Sequence, residues 1–227
     1  MTDGPLPTVT PLELSLRVEQ VKERIAAAGG DVDLVHVMAV TKGFGAWAIE
    51  TAVAAGSTIV GENYAQELVA KGGALEPSVR TKAEVHFIGQ LQTNKVRMLA
   101  GFVDVWQSVD RPSLVRELAR RVPGARVLLQ LDIADSPTQG GCHIATAADL
   151  LSMARDLGLD VAGVMAIGPQ GSPDVVMTAF VRAVAFADEH ELPIRSLGMS
   201  GDLEHAVRAG STMVRVGTAL FGERPTR

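Results

Sequence analysis

The sequence predicts an α/β fold: a single (β/α)8 barrel of the TIM type with one extra helix at its amino terminus. Eight short apolar runs alternate with segments of helical period along the 227 residues, which is the pattern of parallel strands joined by crossover helices. No proline-rich linker, break in composition or repeat divides the chain. We therefore expect residues 1–227 to form one barrel domain.

The first predicted element is a helix that precedes the first strand. Its apolar residues recur at helical spacing and form one stripe; they are Leu14, Val18, Val21 and Ile25. Gly29 and Gly30 end this helix. Few residues follow the last predicted strand, so we expect the first helix to cover part of the barrel that a final crossover helix would otherwise cover.

The strands and the crossover helices follow in alternation. The eight predicted strands are 34–40, 58–61, 85–89, 103–109, 126–133, 161–167, 194–199 and 213–217. The crossover helices are expected near 46–55, 64–71, 92–100, 112–121, 145–157, 173–189 and 202–209. Each strand is short and mostly apolar, as expected where helices cover the outside of a parallel sheet.

Composition argues against several classes of protein. The 21 Lys and Arg residues against 26 Asp and Glu give a net charge of -5, which favours neither nucleic acid nor an anionic membrane as a partner. A single cysteine, Cys142, excludes an internal disulfide and suits a reducing compartment. The segment MTDGPLPTVT has no secretory pattern, and no apolar run reaches the length of a membrane span. We expect a cytoplasmic protein.

The first strand ends in a lysine, in the string AVTKGF. One interpretation is that Lys42 marks the strand end and extends its ammonium group into water. The other is that apolar surroundings lower the pKa of this lysine, as imine chemistry with a carbonyl compound requires. The strand alone leaves both interpretations open.

Polar residues follow the last two strands, where barrels of this class bind their ligands. Ser200 and Gly201 open the segment after the seventh strand, and Gly217 and Thr218 follow the eighth. Two glycine-containing turns on adjacent strands favour a bound phosphate group. Taken alone, Ser200 would be interpreted as an ordinary helix N-cap.

No metal site is expected. The five histidines show none of the spacings that are typical of metal ligands, and no second cysteine accompanies them. His86, in the string VHFIGQ, is interpreted as a hydrogen-bonded interior histidine.

Four strings together resemble the pyridoxal phosphate homeostasis family, the YggS-like proteins. They are AVTKGF, GENYAQE, HFIGQLQTNKVR and LGMSGDLEHAVRAGSTMVRVGTALFG. The resemblance runs in consistent order from about residue 12 to residue 222. It implies a barrel of the alanine racemase type that binds pyridoxal 5′-phosphate (PLP) and maintains its cellular supply, without an established catalytic reaction and with apo PLP-dependent enzymes as further partners.

The same resemblance assigns the binding residues. It implies that Lys42 forms the internal aldimine and that Asn63 lies near the cofactor ring. It also implies that Arg215 faces the pyridine nitrogen. The residues that it assigns to the phosphate are Ser200, Gly201, Gly217 and Thr218. Where relatives often have a lysine, this chain has Gln139, so a secondary cofactor contact there is in doubt.

The chemical properties of lysine and arginine side chains agree with the roles that the resemblance assigns to Lys42 and Arg215. Only an uncharged amine attacks an aldehyde, and burial would lower the pKa of Lys42 toward that state. A guanidinium does not give up its proton, so Arg215 would leave the ring nitrogen unprotonated and the ring a weak electron sink. The alternative partner for Arg215 is a barrel carboxylate such as Glu62.

Two other functions compete with the carrier. A PLP-dependent amino-acid racemase would suit the barrel, but it needs a second acid/base group, usually a tyrosine from an added domain, and this chain has one tyrosine, Tyr64. A module that binds some other phosphate would use Lys42 only as a counter-ion. The helical segments show no conspicuous apolar patch, which favours a monomer.

Overall fold

The computed structural model describes residues 9–134 and 140–224. Within these ranges, eight parallel strands form a closed barrel, because the first strand pairs with the last and the remaining neighbours pair in sequence. The barrel strands are β1 (His36–Val40), β2 (Ile59–Glu62), β3 (Glu84–Phe87), β4 (Val105–Val109), β5 (Arg126–Asp132), β7 (Asp160–Ala166), β8 (Ile194–Met199) and β9 (Met213–Val216). A two-residue strand, β6 (Cys142–His143), pairs with β5 outside the ring.

Ten α-helices are described, most of them between successive strands. They are α1 (Pro11–Ala27), α2 (Trp47–Ala54), α3 (Ala65–Ala74), α4 (Pro77–Arg80), α5 (Val96–Leu99), α6 (Pro112–Arg121), α7 (Ile144–Asp156), α8 (Pro173–Glu189), α9 (Leu203–Ala209) and α10 (Thr218–Phe221). The eight strands and the helices predicted from periodicity are confirmed. Sequence analysis missed β6, α4 and α10, because two to four residues are too few to show a period.

The amino-terminal helix has the position that the sequence predicts. Thr10 and Glu13 form a capping box at its start, and the chain turns at Gly29, where φ is 87°. Helix α1 contacts α2, α9 and α10, and Arg17 Nη1 donates to Leu220 O at 2.6 Å. It therefore completes the outer layer on the side where the last strand is followed only by the short α10.

The barrel interior contains both apolar and polar side chains. Two small apolar clusters made of strand residues fill part of it; their buried members are Met38, Val40, Met213, Val105, Leu128 and Met165. The larger apolar core lies between strands and helices. The polar side chains buried at interior positions include His86, Gln107, Ser196 and Arg215. No helix in the two described ranges has the length and apolarity needed to cross a membrane.

Candidate functional site at the mouth of the barrel

A cavity of about 270 Å³ opens at the carboxyl ends of the strands. Its lining residues are Val40, Lys42, Phe44, Ile88, Met199, Ser200, Gly201, Arg215, Gly217, Thr218 and Arg224. Six of the seven predicted binding residues therefore meet at one place. The seventh, Asn63, is not one of the described residues that line the cavity. Its backbone lies against Gly89 instead, since a Cβ at Gly89 would be 2.0 Å from Asn63 O.

The segment that carries Lys42 is fixed by backbone hydrogen bonds. Thr41 N donates to Gly61 O at 3.0 Å, which extends the pairing of β1 with β2. The next turn closes through a bond from Phe44 N to Thr41 O at 3.2 Å. Gly43 has φ of 82°, a value that glycine adopts without strain. The turn thus places Lys42 at the cavity.

The surroundings of Lys42 favour the uncharged amine. The side chain is half-buried, and burial is the main cause that lowers its pKa below the usual 10.5; the positive charges of Arg224 and Arg215 lower it further, and Glu62 opposes them. Among the described residues, Lys42 Nζ makes no hydrogen bond or ion pair. This amine is therefore available to a ligand in the cavity.

A second lysine, Lys71 of α3, lies behind the same segment. Its ammonium donates to Thr41 O at 2.8 Å and lies 2.6 Å from Glu62 Oε1 and 2.7 Å from Glu67 Oε1. Glu67 Oε1 also accepts from Gly43 N at 2.7 Å, and Glu62 Oε1 from Thr41 Oγ1 at 2.6 Å. This buried cluster holds the backbone on both sides of Lys42.

Sequence analysis missed Lys71, although a signal was present. Ala65, Leu68 and Lys71 occupy successive core positions of α3 at helical spacing, so the lysine stands where an apolar residue is expected. Burial raises the pKa of Glu62, and the Lys71 charge and hydrogen bond lower it in part. The alternative in which Glu62 pairs with Arg215 is wrong, because Lys71 is the ion-pair partner of Glu62.

Arg215 enters the cavity from β9 with most of its guanidinium already engaged. Nη1 donates to both the backbone oxygen and the hydroxyl of Ser196, and Nη2 donates to Ala166 O at 2.8 Å. Only 4% of the residue is exposed. Burial lowers its pKa to about 10, which keeps it charged at neutral pH. Nε has no acceptor among the residues that the structure describes, so it remains a donor for a ligand.

The two glycine-containing turns lie side by side at the cavity. Arg24 of α1 donates from Nη2 to Ser200 O at 2.9 Å and fixes the first turn. Helix α9 has Asp202 as its N-cap, so the interpretation of Ser200 as an N-cap is wrong. Thr218 is the first residue of α10, and its N–H therefore has no partner within that helix.

Two features of the site were not predicted. Phe44, Trp47 and Phe221 form an aromatic cluster with ring centroids 5.5 to 6.3 Å apart, which packs α10 against the Lys42 segment. Arg224 lies over the same segment, since a Cβ at Gly43 would be 2.7 Å from its Cδ. Gln139 lies outside the described residues, so its effect stays a prediction.

The sequence and the fold of this chain are both similar to those of known proteins. The family model described as alanine racemase, N-terminal domain, matches residues 16–225. A protein of Escherichia coli K12 named pyridoxal phosphate homeostasis protein is 37% identical, covering 93% of this chain and 97% of that protein. A protein of the same name from Aquifex aeolicus is 33% identical, covering 93% and 96%.

Solved structures agree with the sequence relatives. PipY of Synechococcus elongatus, in a structure with PLP bound, has a TM-score of 0.75 and 33% identity, covering 89% of this chain and all of PipY (100%). A protein of Bifidobacterium adolescentis described as unknown has a TM-score of 0.86 and 30% identity, covering 93% and 95%. Alanine racemase of Corynebacterium glutamicum shares the fold, with a TM-score of 0.69 at 17% identity over 96% of this chain and 62% of that enzyme. The chain therefore belongs to the alanine racemase N-terminal domain family and, within it, to the pyridoxal phosphate homeostasis proteins.

Proposed function

We propose that this chain is a single-domain cytoplasmic carrier that binds PLP covalently through Lys42 and supplies it to apo PLP-dependent enzymes. The observation that carries the proposal is the half-buried Lys42 amine, with its lowered pKa, in a cavity that also contains Arg215 and two glycine-containing turns. Two comparisons support the same assignment: a relative is named pyridoxal phosphate homeostasis protein, and PipY has a solved structure with PLP bound.

The residues present fit this cofactor. PLP supplies an aldehyde that condenses with an unprotonated amine to form a carbon–nitrogen double bond and release water. Lys42 would supply that amine, and Arg215, which uses three of its five N–H groups on protein acceptors, would direct one of the other two toward the ring nitrogen. The turns at Ser200 and Thr218 would hold the phosphate, with the positive charge of Arg224 at the same cavity. The cavity volume of about 270 Å³ is near the lower end for small-molecule sites, roughly 300 Å³.

The proposed role of the chain is binding rather than catalysis. Arg215 is held by three oxygen acceptors. A guanidinium can donate a hydrogen bond to the ring nitrogen but does not transfer its proton to it, so Arg215 does not promote carbanion chemistry. Tyr64, the one tyrosine of the sequence, is 37% exposed and is not among the cavity-lining residues that the structure describes. A racemase would need an acid/base group opposite Lys42, and the phenol is not placed for that role.

The phosphate assignment has its own test. Replacing Ser200 by Ala together with Thr218 by Val should weaken PLP binding by about 1–3 kcal/mol, because hydrogen bonds to a charged group are lost while backbone amides remain. Equilibrium titration of the visible absorbance measures the change. An unchanged affinity would show that the two hydroxyls do not contact the cofactor.

The carrier function is tested by transfer. The protein is loaded with PLP, freed of unbound cofactor by gel filtration, and mixed with an apo-aminotransferase whose recovered activity is followed. We expect recovery with the native chain and little recovery with Lys42→Ala, which cannot retain the cofactor covalently. The protein is expected to be a monomer, which light scattering of the same sample measures.

Three outcomes would contradict parts of the proposal. Loss of all PLP by the native chain during gel filtration would contradict stable binding. Retained PLP that never activates the apo-enzyme would contradict the carrier role. Rapid exchange of the α-hydrogen of alanine with deuterium from solvent, absent in Lys42→Ala, would favour the racemase alternative.

A further inference from the structure

A continuous chain of hydrogen bonds crosses the barrel interior and ends at Arg215. Arg215 Nη1 donates to Ser196 Oγ at 3.1 Å, and Ser196 Oγ donates to Gln107 Oε1 at 2.8 Å. Gln107 Nε2 lies 2.6 Å from His86 Nδ1, and His86 Nε2 lies 2.7 Å from Glu84 Oε1. The chain therefore joins four neighbouring or facing strands, β9, β8, β4 and β3.

The polarity of this chain is self-consistent in one arrangement. Glu84 carries a carboxylate that only accepts, so His86 Nε2 carries the proton and Nδ1 accepts from the amide of Gln107. The amide oxygen of Gln107 then faces the hydroxyl of Ser196, whose own lone pairs face Arg215. Each of the four links between these side chains then joins a donor to an acceptor. The hydrogen bond to His86 is the main cause that lowers the pKa of Glu84, which agrees with an ionised carboxylate.

The interior members of the chain are completely shielded from water. His86, Gln107 and Ser196 are 0% exposed, and they lie beside the apolar clusters of the barrel interior. Buried polar groups of this kind are costly unless each is hydrogen-bonded. Apolar side chains could fill the barrel interior in their place. Stability alone therefore does not account for this chain of hydrogen bonds.

We propose that Ser196, Gln107 and His86 are positioning residues for PLP, which hold the guanidinium of Arg215 at the cavity with Nη1 and Nη2 on protein acceptors and Nε left for the ligand. This inference rests on the proposed function, because it takes the ring nitrogen as the group that Arg215 meets. Ser196 acts directly on Arg215, whereas Gln107 and His86 fix the direction of the Ser196 hydroxyl. None of the three is among the residues that line the cavity.

Two buried serines of the protein, Ser196 and Ser211, together test the positioning role. Ser211 is also buried, at 3% exposed, and its hydroxyl lies within hydrogen-bond distance of backbone oxygens of β8 and β9, of which Leu197 O, at 2.8 Å, is the nearest acceptor for its one proton. Ser196→Ala and Ser211→Ala therefore each remove one buried hydroxyl next to the same two strands. Only the first breaks the link to Arg215.

The measurement is PLP affinity and the visible absorption spectrum of the loaded protein. We expect Ser196→Ala to weaken binding about fivefold, the net value of one hydrogen bond, and to shift the absorption maximum. We expect Ser211→Ala to change neither the affinity nor the maximum. In an Arg215→Met background, Ser196→Ala should no longer change the affinity, because the residue through which it acts is gone.

The outcomes separate the two proposals. If the native chain gives no visible absorption with PLP, the proposed function fails. If the native chain binds PLP but the two serine variants behave alike, or the effect of Ser196→Ala persists in the Arg215→Met background, the positioning role is wrong. Gln107→Leu repeats the test one step farther along the chain, with the same direction of spectral shift expected.

Discussion

Two lysines lie near the end of β1, one on each side of the segment that follows it, in opposite electrostatic surroundings. Lys71 is almost fully buried, and its three donors meet two carboxylates and the oxygen of Thr41 at 2.6 to 2.8 Å. Lys42 faces the cavity, half-buried, with two arginines lowering its pKa. The same side-chain type therefore has a structural role in one place and, in the function proposed above, a chemical role in the other.

The difference shows that burial alone does not make a lysine reactive. Burial disfavours the ammonium, but carboxylates within ion-pair distance stabilise it. Lys71 has such partners, whereas Lys42 has positive neighbours and only a weaker opposing influence from Glu62. Lys71 in turn donates to Thr41 O, so it helps to position the neighbouring Lys42.

The largest expected effect is on stability. Lys71→Met should lower the free energy of unfolding by about 3–5 kcal/mol, because it leaves the buried carboxylate of Glu62 without its partner. Lys42→Met should change it by less than about 0.5 kcal/mol, because the Lys42 amine makes no hydrogen bond or ion pair with the described residues that the substitution would break. Urea denaturation of the apo protein measures both values.

A second substitution checks the cause of that loss. Adding Glu62→Gln to Lys71→Met should recover part of the stability, since the uncompensated charge is then removed. If Lys71→Met proves as stable as the native chain, the buried cluster does not fix the Lys42 segment and the comparison between the two lysines fails.

A smaller effect is expected from the charge over the Lys42 segment. Arg224→Ala should slow covalent capture of PLP at neutral pH, because loss of a nearby positive charge raises the pKa of Lys42 and reduces the uncharged fraction. The rate difference should vanish at high pH, where Lys42 is uncharged in both proteins. Stopped-flow absorbance measures the rate.

The control for this prediction is Arg208→Ala, which removes an exposed arginine from the last turn of α9. It should leave the capture rate unchanged. An equal slowing by both variants would mean that general attraction of an anionic ligand, rather than the pKa of Lys42, sets the rate.

The smallest effect is a pH dependence of stability in the apo protein. The pKa of Lys42 is lower in the folded chain than its ordinary 10.5, so the unfolded chain binds more protons between the folded value and 10.5. Stability of the native chain should therefore rise relative to Lys42→Met as pH increases through that window. A difference that stays constant across the window would show that burial leaves the Lys42 pKa unchanged.

Local patterns predicted much of this structure. Strand and helix periods gave the barrel, and the position of Lys42 at a strand end placed it at the cavity, because barrels bind ligands at that edge. Long-range contacts were harder to predict. Arg224 reaches Lys42 from the far end of the chain, and Arg215 is satisfied by Ser196 and Ala166 on other strands. The spacing of residues within one helix or strand does not indicate which distant residue a side chain will contact.

The ion-pair partner of Glu62 was also not predicted from the sequence. It lies nine residues away in sequence, on Lys71, but the pairing depends on how α3 packs against the barrel. The alternative that paired Glu62 with Arg215 named the wrong cation for this reason. Asn63, next to it, was placed by resemblance alone, and its backbone contact with Gly89 depends on the pairing of two loops.

The most direct test of the central claim is to map the lysine that PLP labels. The native chain is loaded with PLP, reduced with borohydride, digested and analysed by mass spectrometry. We expect the reduced adduct on Lys42, with Lys71 unlabelled and no site-specific adduct in Lys42→Ala. An adduct on Lys71, or the same degree of labelling at another lysine once Lys42 is replaced, would contradict the account.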